Sequence, residues 1–439
     1  MVAVNTKSHF EISKLLIAIL VLVLISADKQ LLLMHYIIGR GNIGIWTIGS
    51  IFIVVSFLFF SVMQKGVLQI PAQHKNLMYF SILFGLYFLL HELIFRDGLV
   101  SAKYAVFLVI IALSLSIKYN LFYIFKVLGY VGGFMCLIII LQQILILVLV
   151  GGDLSQFEIT IPGKLYNRWV QCDFVNPYGL GMFEVCSGNS NISFFGYSVN
   201  RSLFFSTEPK YISSILLVTF ASLLISRSRS FYKFFFLAAY LLAFILIGSA
   251  TAMLVLLVSF LLAFLRYSGT FSYVSGVLLV PIFILPLLFE VLLQSIGVDG
   301  FVAARISSGA SSIGLAGITE MTLLGEGFYE CVDVTCRNSR GLLGSLFGTY
   351  GLVGFLLFGV FIFKVTKPMF DFIRRNSKPR QVHIYFGLLV FLNTYIVFNL
   401  YFFGDLFNTF GLLIILSLIL LPRYLSENED SMSYSLEEN

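Results

Sequence analysis

The residues best equipped for chemistry lie in two polar stretches. The first holds Arg168 and Arg201 and ends on Glu208-Pro209-Lys210; the second holds Arg305, then Arg337 and Arg340. A guanidinium presents a planar fork of donors that grips a phosphate through two bonds at once. A carboxylate, Glu208, stands among them, where cationic neighbours lower its pKa. The same side chains would also serve as anchors that reach for lipid headgroups at a bilayer border.

The elements that must position these residues are apolar. Of 439 residues, 59% are hydrophobic and only 11% charged, and the mean hydropathy is +0.96. A soluble domain is about a quarter charged. A surface facing lipid must be apolar, so a bilayer makes this composition the expected one. Runs of membrane-spanning length fall near 13–27, 43–63, 77–95, 99–117, 121–150, 211–226, 231–248, 250–265, 273–295, 341–363, 383–403 and 406–421. The expectation is an all-α integral membrane protein of about twelve spans, forming one polytopic domain over 1–439. The first run could be misread as a signal peptide with Ile25-Ser26-Ala27 as its cleavage site, but the expectation is a membrane span. The polar tail, about 426–439, is expected to be disordered.

Charge bias sets the orientation. With a cytoplasmic N-terminus, the inner segments collect Lys7, Lys14, Lys65, Lys75, Lys118, Arg227, Arg229, Lys233 and Arg266. They also collect Lys364, Lys367, Arg374, Arg375, Lys378 and Arg380, in an expected cytoplasmic loop at about 364–382. Excess Lys and Arg on the inner side is the usual topological signal. Both termini are then cytoplasmic, and two large loops, about 151–210 and 296–340, face outward. The net charge of +6 is scattered through short loops and forms no basic patch interleaved with aromatics, which argues against nucleic acid as a partner.

Cysteine placement points the same way. Cys136 falls in a span, Cys172 and Cys186 in the first outer loop, and Cys331 and Cys336 in the second. Thiols pair in oxidising compartments, so these four are disulfide candidates. Pairing within each loop is the simplest of three connectivities, and a bridge between loops is another. Their spacing fits no common zinc finger. The chain has no Walker motif, dinucleotide fingerprint or paired-His metal motif. His9, His35, His74, His91 and His383 all lie outside the two loops, so neither a metal nor another cofactor is expected. His91-Glu92 and Glu290 place ionisable groups toward the outer ends of spans, where a polar cavity would explain them. The glycines from Gly341 to Gly354 recur mostly every three or four residues, as in close helix packing.

Arg201 through Phe205-Ser206-Thr207-Glu208-Pro209, the turn Gly325-Glu326-Gly327-Phe328, and an arginine separated by ten residues from a glycine (Arg168 and Gly179, Arg337 and Gly348, Arg340 and Gly351) are the local marks of one family. With twelve spans and two enlarged outer loops, the chain resembles the Wzy-type O-antigen polymerases and the related O-antigen ligases. Ligases carry a His before the Gly-x-x-Gly of the span after the second loop. Here that position is Arg340, which favours polymerase. The resemblance implies a GT-C-like membrane glycosyltransferase of the bacterial inner membrane, acting in lipopolysaccharide biosynthesis. It would join undecaprenyl-diphosphate-linked oligosaccharides on the periplasmic side. A chain-length regulator in the membrane is an implied partner. It further implies that Glu208, Arg337 and Arg340 are catalytic, and that Arg168, Arg201, Lys210 and Arg305 bind substrate. A lipid-linked oligosaccharide flippase would also have about twelve spans, with shorter loops and more intramembrane charge.

Overall fold

The computed structural model describes residues 49–50, 53, 72–95, 100–115, 121–150, 191–194, 197–200, 209–226, 231–267, 323–325, 342–375, 382–395, 414–422 and 425. Its helices are α1 (Ala72–Phe95), α2 (Val100–Ser114), α3 (Leu121–Val150), α4 (Pro209–Ile225), α5 (Phe231–Ile247), α6 (Ala250–Tyr267), α7 (Leu342–Arg375) and α8 (Val382–Thr394). A further helical stretch covers 414–422. The expected spans at 13–27 and 273–295, and most of 43–63, lie outside the described residues.

Among the described residues, three helices are long and apolar enough to cross a membrane: His74–Phe95, Tyr123–Ile144 and Thr349–Ile373. Shorter apolar helices accompany them. On α1, the stripe Leu77, Ser81, Phe84, Phe88 and His91 is buried, while Leu83, Leu86, Leu90 and Leu93 on the other face are exposed. In water, a helix should be polar on the face it does not bury. Here both faces are apolar, as lipid requires, and α5, α6 and α7 repeat the pattern with Phe234, Leu241, Met253, Leu257, Leu356 and Val360 exposed. These are the helices of a membrane protein.

The chain forms two compact units interleaved along the sequence. In the first, α4 is enclosed by its neighbours, with every residue from Ile212 to Ser226 buried. Its small and hydroxylated residues make this possible. Thr219 Oγ1 donates to the Ile215 carbonyl (2.9 Å) and Ser222 Oγ to that of Val218 (2.8 Å), so the helix satisfies its own hydroxyls. Helix α3 lays Gly129 and Gly132 against it: a β-carbon at Gly129 would come within 2.9 Å of Leu223 Cβ, and one at Gly132 would overlap Thr219 Oγ1 and the Tyr240 hydroxyl. That hydroxyl donates to the Gly129 carbonyl (2.9 Å), tying α5 to α3. Lys233 of α5 donates to the Leu224 carbonyl (3.2 Å) and to that of Ser226, which caps the C-terminus of α4 with a cation.

The expected runs 231–248 and 250–265 meet at a tight junction around Gly248. Gly248 adopts φ 59° and donates to the carbonyls of Phe244 (3.2 Å) and Ile245 (3.0 Å), closing α5. Ser249 Oγ accepts from the Ala252 N–H (3.3 Å), opening α6. A left-handed glycine followed by a serine N-cap turns the chain in two residues. The long run 121–150 is one helix of 30 residues, roughly 45 Å at the α-helical rise.

Two features depart from expectation. The segment expected to form the first outer loop contains a β-hairpin, β1 (Asn191–Phe194) with β2 (Tyr197–Asn200), which an all-α reading omits. Its antiparallel register pairs Ile192 with Val199 and Phe194 with Tyr197, and Ser193 with Ser198. Apolar residues face apolar partners and polar face polar across the ladder, the period-two pattern of a strand. Second, α7 does not stop near residue 363. It continues through Lys364, Lys367 and Pro368 to Arg375, so the first part of the expected cytoplasmic loop is helix.

The packing in the first unit is testable by substitution. Gly132→Ala should lower the thermal unfolding midpoint of the detergent-solubilised protein, with a cost of about 1–3 kcal/mol for overpacking. Gly359 has nothing within 4 Å of its would-be β-carbon, so Gly359→Ala should be neutral or raise the midpoint.

Candidate functional site

The second unit brings α1, α2 and α7 together. Helix α7 runs antiparallel to α1: Lys364 Nζ lies over the Phe80 ring (5.7 Å), Phe361 packs on Phe84 (5.9 Å) and Tyr350 on Phe88 (4.9 Å). Residues near 91, 101 and 350 therefore share one end of the bundle. In the expected topology all three belong to the outer end, so the spans agree with one another on this point.

A polar network is built at that end. Tyr350, buried among the rings of Phe88, His91 and Tyr104, shares a hydrogen bond with Ser101 Oγ (3.1 Å). Glu92 Oε2 accepts from the Ser101 backbone N–H (3.2 Å). The donor sits in the first turn of α2, where free N–H groups and the helix dipole favour a carboxylate. His91 is buried, and its Nε2 lies 3.2 Å from the Leu324 carbonyl. It stacks against Phe95 at 4.4 Å. His91-Glu92, singled out by sequence for a polar cavity, is instead held within this network.

The turn Leu323–Gly325 closes it. Gly325 has φ +83° and is buried, and a β-carbon there would overlap the Thr349 carbonyl and lie 2.7 Å from Gly351 N. Only glycine can sit so close to another backbone in this conformation. Opposite it, Gly351 breaks α7 with φ 60° and ψ −165°. The glycine spacing from 341 to 354 suggested helix packing throughout, but Gly351 interrupts the helix. Gly354, one turn on, fits the packing expectation: a β-carbon there would lie 3.4 Å from the Tyr87 ring and hydroxyl.

Most sequence-nominated residues fall outside this network. Glu208, Arg168, Arg201, Arg305, Arg337, Arg340, Cys172, Cys186, Cys331 and Cys336 lie outside the described residues. Lys210 is in the first turn of α4, directly after Pro209, which opens the helix. Proline is favoured at that position because its missing N–H is not needed there. Cys136 is a free, buried thiol. Among the described residues, no group of three His, Cys, Asp or Glu comes together.

Sequence reasoning passed over Tyr87, Ser101, Lys103 and Tyr350. Lys103 sits one turn into α2, over the rings of Tyr104 (5.7 Å) and Phe107 (6.0 Å). A lysine and a glutamate at facing ends of adjacent spans were a readable signal. The tyrosines were not, because nothing in their spacing separates them from ordinary packing. Comparison with family models, curated proteins and solved structures returns no match. The class, a helical membrane protein, therefore rests on the chain itself.

If Glu92 caps α2, Glu92→Ala should destabilise the solubilised protein by about 1 kcal/mol. Glu92→Gln, which keeps an acceptor oxygen, should recover part of that loss in the same melting experiment.

Proposed function

We propose that the protein is an O-antigen or surface-polysaccharide polymerase of the bacterial inner membrane, with about twelve spans and both termini in the cytoplasm. The observation that supports this reading is that arginines of both expected outer loops come shortly before apolar helices in the sequence. Arg337 and Arg340 precede α7, and Arg201 and Glu208 precede α4. A diphosphate on a lipid anchor arrives at the membrane border, with its charge at headgroup level and its chain in the bilayer.

In this reading the hydroxyl at the non-reducing end of a newly arrived repeat unit attacks the anomeric carbon of the growing chain. The new glycosidic bond forms as the bond to undecaprenyl diphosphate breaks. Arg305, Arg337 and Arg340 neutralise the departing diphosphate, and Arg168, Arg201 and Lys210 hold the second lipid-linked substrate. Glu208 takes the hydroxyl proton or orients Arg201. The two polar segments together hold roughly a quarter of the chain, which suits chemistry outside the membrane better than transport through it.

Arg340→Ala and Glu208→Gln, expressed in a strain lacking its own copy, test this reading. Loss of one such electrostatic contact should slow transfer by about a hundredfold. Gels of surface glycan should then show single repeat units on the lipid core in place of a ladder. A core bearing no repeat at all would favour a ligase. Ladders persisting in both variants would exclude these roles.

A further inference from the structure

The break in α7 lies against the turn Leu323–Gly325. In an unbroken helix the Val353 N–H would donate to the Thr349 carbonyl, and that of Gly354 to the Tyr350 carbonyl. Across Gly351 both partners come from elsewhere. Val353 N donates to the Leu323 carbonyl (3.2 Å). The Tyr350 carbonyl accepts from the Tyr87 hydroxyl (2.7 Å). The turn and the tyrosine thus stand in for partners within the helix. An unmet backbone group away from water is costly, so break and turn stabilise each other.

We propose that the turn Leu323–Gly325 is the seat of the second outer segment, and that His91 and Tyr87 are positioning residues for it. His91 fixes the turn through the Leu324 carbonyl. Tyr87 holds open the helix break into which the turn fits. Arg337 and Arg340 lie in sequence between this turn and α7, which begins at residue 342. The consequence for glycan transfer rests on the polymerase reading above; the seat itself does not.

Hydrogen exchange on the full-length protein in phospholipid nanodiscs tests the seat without an activity assay. His91→Ala should speed exchange over 349–354 by about tenfold or more, while the amides of α2 stay protected. His91→Gln, which returns a side-chain N–H donor, should restore wild-type exchange. Tyr87→Phe removes one hydroxyl and should speed the same segment. Unchanged exchange at Val353 in both His91→Ala and Tyr87→Phe would overturn the proposal. So would a loss of protection spread evenly over α1 and α2 that His91→Gln does not repair. In cells, His91→Ala should shorten the glycan ladder and His91→Gln should recover it. Faster exchange with a wild-type ladder would show that the seat does not govern transfer, overturning the positioning role. If the wild-type gene itself restores no ladder, the polymerase reading fails while the exchange result stands.

Discussion

A peptide group inside a bilayer has no water to bond to, so every N–H and C=O must find its partner within the protein. That constraint organises both units. Regular helices satisfy it internally, and the informative places are those where the helix stops. At Gly248-Ser249 a left-handed glycine and a serine side chain take up the loose ends within two residues. At the end of α4 the Lys233 ammonium receives carbonyls that would otherwise be bare. At Gly351 the partners are a tyrosine from another helix and a turn distant in sequence.

The same constraint shapes packing. Between membrane helices there is little hydrophobic gain, since lipid is as apolar as leucine, and association depends on close contact and shared polar groups. Helix α4 is bordered by glycines from α3 and from α8, where Gly387 leaves room for the Ala221 carbonyl and the Ile225 side chain. Its buried hydroxyls turn back onto its own carbonyls, which leaves its surface smooth enough for neighbours to approach. In the second unit the Tyr350 ring occupies the equivalent crowded position, and Ser101 supplies its polar partner.

Much of this was legible from residue types alone. Apolar runs located α1 through α6 within a few residues, because lipid imposes a simple length rule on composition. The Gly248-Ser249 junction was readable because glycine and serine have defined roles at helix ends. The hairpin was missed because a four-residue strand leaves a weak signal beside spans of 20 residues or more. The end of α7 was misjudged because Lys364 and Lys367 lie over the Phe80 and Phe363 rings, so charge does not interrupt the helix. Of the network at α1, α2 and α7, His91-Glu92 could be named from sequence, whereas the seat depends on two positive-φ glycines meeting across distant segments.

The enclosure of α4 bears on how the protein is made. A nascent span leaves the insertion machinery sideways into lipid when its own surface is apolar enough. Helix α4 offers Ser213, Ser214, Thr219 and Ser222 over a length of 17 residues, a weak passport for solitary release. Its neighbour α3, long and strongly apolar, is synthesised earlier and carries the glycine surface that α4 fits. The order of synthesis thus matches the order of packing: α3 comes first, α4 lies against its glycines, and α5 follows with Tyr240 bonded to the Gly129 carbonyl.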